Sequence, residues 1–224
     1  LDGDQHGMAE LGLARVAFAL AELFEGQTPE DYQRSVTEFF SRAVHRSTGR
    51  PLSTMAYQPM LELLDELRRR DVDVFIVSGG GVEFVRAVSE ALYDVTPDRV
   101  VGSCIRYRYE RRGDTPTLVR TAELDGPPNE GPAKVDAVQR HLGRRPLLAA
   151  GNSLGDREML ELAHAASPSL ALLIDHDDAQ REFAYASEAG TMDDLEPITE
   201  LGRREGWTIV SMRHDWSTVF PDAP

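Results

Sequence analysis

The sequence predicts an α/β protein: a doubly wound, mostly parallel sheet preceded by a small helical unit. Three observations carry that expectation. Short apolar runs end in small polar residues, once at Val74-Phe75-Ile76-Val77-Ser78-Gly79-Gly80 and again at Leu147-Leu148-Ala149-Ala150-Gly151-Asn152-Ser153. Segments of helical periodicity alternate with such runs from residue 58 onward, the pattern of a parallel sheet with helices on both faces. The first fifty residues, by contrast, show helical periodicity with no strand between the helices.

Residues 8–26 read as a helix, because Leu11, Val16, Leu20, Leu23 and Phe24 recur at helical spacing and Gly26 is a stop. A second helix opens at Thr28-Pro29-Glu30-Asp31, with proline in the first turn, and Tyr32, Val36, Phe39 and Phe40 share one face. Met60, Leu61, Leu63, Leu64 and Leu67 mark a third helix that ends in Arg68-Arg69-Arg70, cations suited to a helix C-terminus. A strand over 72–77 follows, then Ser78-Gly79-Gly80-Gly81 and a helix carrying Phe84, Val85, Val88 and Leu92. Residues 99–105 read as a strand and 107–119 as a more exposed, hairpin-like stretch. Beyond the Gly/Pro loop 126–131 the pattern runs helix 133–142, strand 147–150, turn 152–156, helix 157–164 and buried strand 170–174. A helix around 182–186 and a last strand at 208–212 complete the reading. Two domains are expected: a helical segment over 1–50 and an α/β core over 51–224.

The net charge of −14 would repel a nucleic-acid backbone from most of the surface. No apolar run approaches the ~20 residues that span a bilayer, and no signal peptide is evident. One cysteine, Cys104, rules out an internal disulfide, which fits a reducing compartment. The expectation is a cytoplasmic protein that binds neither nucleic acid nor membrane, with its oligomeric state open.

The chain has one lysine, Lys134, against twenty-three arginines. Where arginine serves as the general cation, a lone lysine suggests a place for a compact ammonium rather than a planar fork. In open α/β sheets ligands bind beyond the carboxyl ends of strands, where Ser78, Asn152, Asp156 and Asp175 fall. Ser78-Gly79-Gly80 closes a strand and opens a helix. Such a turn binds phosphate oxygens through a hydroxyl and free N–H groups, or is an ordinary strand-to-helix connection. It is neither a Walker loop nor a dinucleotide fingerprint, because the required later glycines and lysine are absent. Short oxygen donors on the tight turn Gly151-Asn152-Ser153-Leu154-Gly155-Asp156 suit Mg²⁺, which takes one or two carboxylates plus waters and phosphate; the bland alternative is a helix N-cap. Asp175-His176-Asp177-Asp178 reads as a structural turn, and the other histidines lack metal-ligand spacing.

In combination these motifs resemble the haloacid dehalogenase superfamily of aspartate-nucleophile phosphohydrolases, in its phosphoserine-phosphatase-like branch. Val77-Ser78-Gly79-Gly80 is similar to its second motif, Lys134 to its third, and Gly151-Asn152-Ser153-x-x-Asp156 to its fourth, over roughly 58–178. Gly131-Pro132-Ala133-Lys134 and the run from His176 to Phe183 support that branch. The resemblance implies a Rossmann-like core, with the helical segment as a small cap. It further implies an aspartyl-phosphate intermediate and Mg²⁺ as cofactor. Ser78, Gly79, Gly80 and Lys134 would hold the substrate phosphate, and Asn152 and Asp156 the metal. Ser78, Lys134 and Asp156 would be the catalytic residues, and a small phosphorylated metabolite the partner.

Two departures stand out. Asn152 occupies a position where many relatives have an aspartate. The Asp-x-Asp-x-Thr first motif has no convincing counterpart, since Asp2-Gly3-Asp4 lacks a preceding strand and His6 stands where threonine is expected. The nucleophilic aspartate is therefore expected upstream of Leu1. The leading expectation is a Mg²⁺-dependent phosphatase of small phosphomonoesters. The alternative is a catalytically inactive phosphate- or metabolite-binding module of the same fold. A dehalogenase is weaker, because metal-free carbon–halogen chemistry has no use for the Asn152–Asp156 turn.

Overall fold

The computed structural model describes residues 19, 21–46, 48–185 and 196–221. It is an α/β fold whose described strands pair in three groups: β1 (Ile76–Gly81) with β2 (Val100–Ser103), β3 (Ile105–Arg112) with β4 (Thr115–Leu124), and β5 (Leu148–Gly151), β6 (Leu170–Asp175) and β7 (Thr208–Ser211) in that order. The expected helix over 8–26 and the Asp2-Gly3-Asp4 sequence lie mostly or wholly outside the described residues. Only its end is seen, with Gly26 at φ +80° where a stop was expected. No helix among the described residues is long and apolar enough to cross a membrane.

Compactness divides the chain into two units, 1–53 with 78–129 and 54–77 with 130–224. The segment ahead of residue 54 thus shares a unit with residues 78–129.

In the first unit, α1 (Pro29–Arg42) begins where the sequence puts it. Thr28 accepts a hydrogen bond from Asp31 N at 3.1 Å, proline follows it, and Glu30 and Asp31 fill the first turn. Tyr32 and Val36 of α1 pack with Val88 of α3 (Val82–Tyr93), flanked by Phe24, Phe40 and Leu92. Arg120 of β4 is buried, its guanidinium 3.7 Å from the Tyr32 ring centre and paired with Glu83. Its backbone N–H and C=O bond to Gln27 O and Gly26 N, each at 2.9 Å, so β4 also holds the turn that precedes α1. The hairpin-like stretch is a true antiparallel hairpin, with Tyr109 opposite Leu118.

The expected strand over 72–77 starts later and runs through the Ser-Gly-Gly, at 76–81. The helix ahead of it, α2 (Gln58–Arg69), wraps up through Asp71 at φ +57° and a Val72 N–H bonded back to Leu67 O at 3.0 Å, which consumes the start of the run. Pairing with β2 then requires Gly102. A Cβ there would lie 2.9 Å from both Gly80 O and Val82 Cα, so only glycine lets the backbones approach this closely.

In the second unit, β5, β6 and β7 are parallel, with Ala149 beside Ala171 and Leu173 beside Ile209. β6 lies between two strands and reads as a continuous apolar run, as parallel strands do. Its Leu173 is fully buried among Leu160, Leu201 and Trp207, drawn from α5 (Arg157–His164), α6 (Ile198–Glu205) and the residue after α6. Ile174 packs instead with Met212, Trp216 and Val219, against Tyr57 and Met60. The helix expected around 182–186 does not form over its described part: residues 179–182 are turn and bend and 183–185 irregular. Here Glu182 accepts from Tyr57 OH at 3.0 Å and Arg181 donates to Met212 O at 2.6 Å. The last strand closes one residue earlier than expected, because Ser211 caps α7 (Met212–Asp215) by accepting from His214 N at 3.0 Å.

Candidate active site

Ser78, Gly79 and Gly80 belong to the first unit. The Ser78 hydroxyl oxygen accepts from Gly80 N at 3.0 Å, which leaves its proton free to donate elsewhere. Around this end of β1 stand two residues that sequence reading did not single out. Asn129 donates from Nδ2 to Ser78 O at 2.8 Å. Ser103 Oγ donates to Gly79 O at 2.7 Å and accepts from Asn129 N at 2.9 Å. Asn129 is buried, with its Oδ1 lacking a hydrogen-bond partner among the described residues. The brace joins positions 26 and 51 residues apart, so no local pattern could have marked it.

Lys134, Asn152 and Asp156 belong to the second unit, which brings them together. Lys134 lies in the first turn of α4 (Pro132–Leu142) and is 4% exposed. Its Nζ donates to Asp156 Oδ1 at 2.5 Å. Asp156 Oδ2 accepts from Asn152 N at 2.9 Å, Ser153 N at 3.2 Å and Ser153 Oγ at 3.3 Å. One carboxylate thus closes the 152–156 turn and neutralises the buried lysine. Gly131 N donates to Gly155 O at 2.9 Å, tying the loop ahead of Lys134 to the same turn. Gly151 makes the packing possible: a Cβ there would lie 2.5 Å from Asp156 Cβ and 2.8 Å from its Oδ2.

Asn152 donates from Nδ2 to the Tyr185 hydroxyl at 3.1 Å. Burial pushes the Tyr185 phenol up to about 12, the Glu182 charge adding to the rise and the Asn152 bond opposing it. Asp156 Oδ1 faces the Lys134 ammonium, so of the Asn152 and Asp156 side-chain oxygens only Asn152 Oδ1 carries no hydrogen bond among the described residues. Mg²⁺ takes one or two carboxylates and completes its shell with waters and phosphate, so Asn152 could serve it only as one neutral oxygen among other donors. Among the described residues no group of three or more His, Cys, Asp or Glu side chains is placed to hold a metal, so a site closed by protein ligands alone is not built here.

The acidic run after β6 is structural, as read from the sequence. Asp177 accepts from Ser211 Oγ at 2.5 Å and Arg213 N at 3.0 Å. Asp178 accepts from Gln180 N and Arg181 N at 3.0 and 3.1 Å and pairs with the Arg181 side chain. Arg181 in turn donates to Met212 O at 2.6 Å and Trp216 O at 2.7 Å. His176 is buried, and burial lowers its pKa against the opposing pull of Glu182.

The model of the family described as haloacid dehalogenase-like hydrolase matches residues 6–161. The chain belongs to this family. The match runs through the Ser78 loop, Lys134 and the Asp156 turn, so the three motifs lie inside the family's span. Among solved structures, the chain is similar to a conserved functionally unknown protein from Anaerococcus prevotii DSM 20548, at 20% identity and a TM-score of 0.48. That likeness covers 69% of this chain and 37% of the other, so the chain spans little more than a third of that relative. No curated protein matches it significantly.

Proposed function

We propose that this haloacid dehalogenase-like hydrolase is a Mg²⁺-dependent phosphatase that hydrolyses small phosphomonoesters through an aspartyl-phosphate. The observation that carries the reading is the buried Lys134–Asp156 pair. Desolvating a lysine and a carboxylate is costly, and replacing such a pair by apolar residues is often neutral or stabilising. A pair kept under that cost, at the end of a parallel strand, suits a site that handles a charged group.

In this reading the Ser78 proton is donated to a phosphoryl oxygen. Gly79 and Gly80 keep side chains out of the anion's approach. Lys134 offsets the charge that builds on the phosphoryl group. Mg²⁺, when bound, supplies further neutralisation of the phosphate and its attacking carboxylate. Asn152 and Asp156 would hold it directly or through water. The nucleophilic aspartate, and the acid–base aspartate two residues after it, belong to the family's first motif. That motif precedes the helical segment, and the described residues begin at 19. Residues 1–50 act as the cap and set substrate choice.

The test is hydrolysis of p-nitrophenyl phosphate by the full-length protein, with Mg²⁺ and with a chelator. Phosphate release is expected with Mg²⁺ alone, and Lys134→Met is expected to lower kcat by about 10²–10³, the usual cost of losing one preorganised charge-stabilising donor. Thermal stabilisation by inorganic phosphate without any turnover would overturn the enzyme reading in favour of a phosphate-binding module.

A further inference from the structure

Ser78 stands at the end of a series of hydrogen bonds that all run in one sense. The Asn129 backbone N–H donates to Ser103 Oγ at 2.9 Å. The Ser103 hydroxyl donates to Gly79 O at 2.7 Å. That oxygen belongs to the Gly79–Gly80 peptide, whose N–H donates to Ser78 Oγ at 3.0 Å. In a planar trans peptide the C=O and the N–H point opposite ways, so a single peptide group carries the series from Ser103 on to Ser78.

Main-chain groups fix the sense of every step. A hydroxyl donates or accepts, but a backbone N–H only donates and a carbonyl only accepts. The Asn129 N–H therefore makes Ser103 Oγ an acceptor, and Gly79 O takes the Ser103 proton. The Gly80 N–H makes Ser78 Oγ an acceptor and turns the Ser78 proton away from Gly80. Bonds aligned head to tail polarise one another, so the Ser78 hydroxyl at the end of the series is a stronger donor than an isolated serine. The start of the series is held firmly: Asn129 is 3% exposed, and its Nδ2 donates to Ser78 O at 2.8 Å. Gly102, the residue before Ser103, brings β2 against β1 where a Cβ would lie 2.9 Å from Gly80 O. Ser78, Gly79, Gly80, Ser103 and Asn129 all belong to the first unit.

We propose that Ser103 is a positioning residue for the anion site: acting through the Gly79–Gly80 peptide, it sets the Ser78 hydroxyl to donate its proton to a bound phosphate oxygen. The inference rests on the reading of Ser78 as a phosphate donor. Ser103 itself touches no phosphate in this arrangement, because its own proton is spent on Gly79 O.

The experiment is calorimetric titration of the full-length protein with inorganic phosphate, for wild type, S103T, S103V, S78A and the S78A/S103V pair. Threonine and valine are both β-branched and suit a strand, so the two variants differ in the hydroxyl and hardly in shape. S103T, which keeps donor and acceptor, is expected to bind phosphate within about twofold of wild type. S103V is expected to bind about tenfold more weakly, the lower end of what one hydrogen bond to a charged group is worth. In the S78A background the valine change is expected to cost less than about twofold, because the two positions are coupled through the Ser78 hydroxyl. Should S103V fail to fold, S103A takes its place and is read in the same way. Equal affinities for S103T and S103V overturn the role of Ser103 and leave the Ser78 reading standing. A loss as large in the S78A background overturns it too, by showing that Ser103 only shapes the turn. No phosphate binding by wild type overturns the anion site itself, and the role of Ser103 with it.

Discussion

Lys134 is exposed over only 4% of its surface, and Asp156 is the carboxylate that faces its ammonium, at 2.5 Å. The position of that carboxylate depends on the absence of a side chain five residues earlier, at Gly151. Gly151→Ala places a methyl against the Asp156 side chain, so Asp156 shifts, the 152–156 turn loses its acceptor and Lys134 loses its partner. The expected outcome is a loss of about 1–3 kcal/mol, the range for overpacking a tight interior, together with loss of hydrolysis. Urea denaturation and a phosphatase assay on the one variant check both; a variant stable and active like wild type would show that Asp156 tolerates displacement. Asn129 and Ser103 make the same point on the first unit's side, since they bond the Ser78 and Gly79 carbonyls of β1 from positions remote in sequence.

Helix starts are written locally, and the structure follows them closely. Thr28 caps α1 and Pro29 opens it, as the four-residue pattern implies. Thr28→Ala is expected to lower stability by about 1 kcal/mol, the usual worth of such a cap, and to leave Mg²⁺ uptake unchanged; a thermal melt followed by far-ultraviolet circular dichroism measures the first and calorimetry the second. An unchanged melt would mean that packing of Tyr32 and Val36 alone carries the helix. Strand limits follow a different rule, because a strand exists only where a partner pairs with it. β1 therefore starts at Ile76, after the α2 C-terminus has taken up Asp71 and Val72. The segment 182–185 is not a helix: the Arg181 side chain donates to Met212 O and Trp216 O, and Glu182 accepts from Tyr57 OH.

Across the whole molecule the charge is strongly negative, yet many carboxylates are held by arginines. The Arg70 guanidinium beside Glu66, Arg112 beside Glu110 and Arg181 beside Asp178 each hold the carboxyl below its usual range. A folded value below the unfolded one, about 4.3 for Glu and 3.9 for Asp, means stability that is complete above the unfolded value. It is lost as the pH falls through the folded values. Stability against urea is thus expected to hold toward pH 5 and to decline progressively beneath. Asp178→Asn is expected to lower stability at pH 7 and to flatten the decline, because Asp178 fixes the arginine that binds the C-terminal segment. A variant with the wild-type acid profile would show that Asp178 contributes nothing to that slope.

The sequence by itself determined the fold class, most helix boundaries, the hairpin, and the identity of Ser78, Lys134, Asn152 and Asp156 as chemically distinctive residues. Periodicity, caps and glycine stops act over a few residues, so they are legible without the fold. What only tertiary structure decided was the Lys134–Asp156 pair, the brace of Asn129 and Ser103 on Ser78, the late start of β1, and the bond from the Asn152 amide to Tyr185. The Lys134–Asp156 pair and the brace on Ser78 join residues more than twenty positions apart, contacts made because a buried polar group has to find a partner. Which partner it finds is set by the packing that brings distant segments together, and no local pattern carries that information.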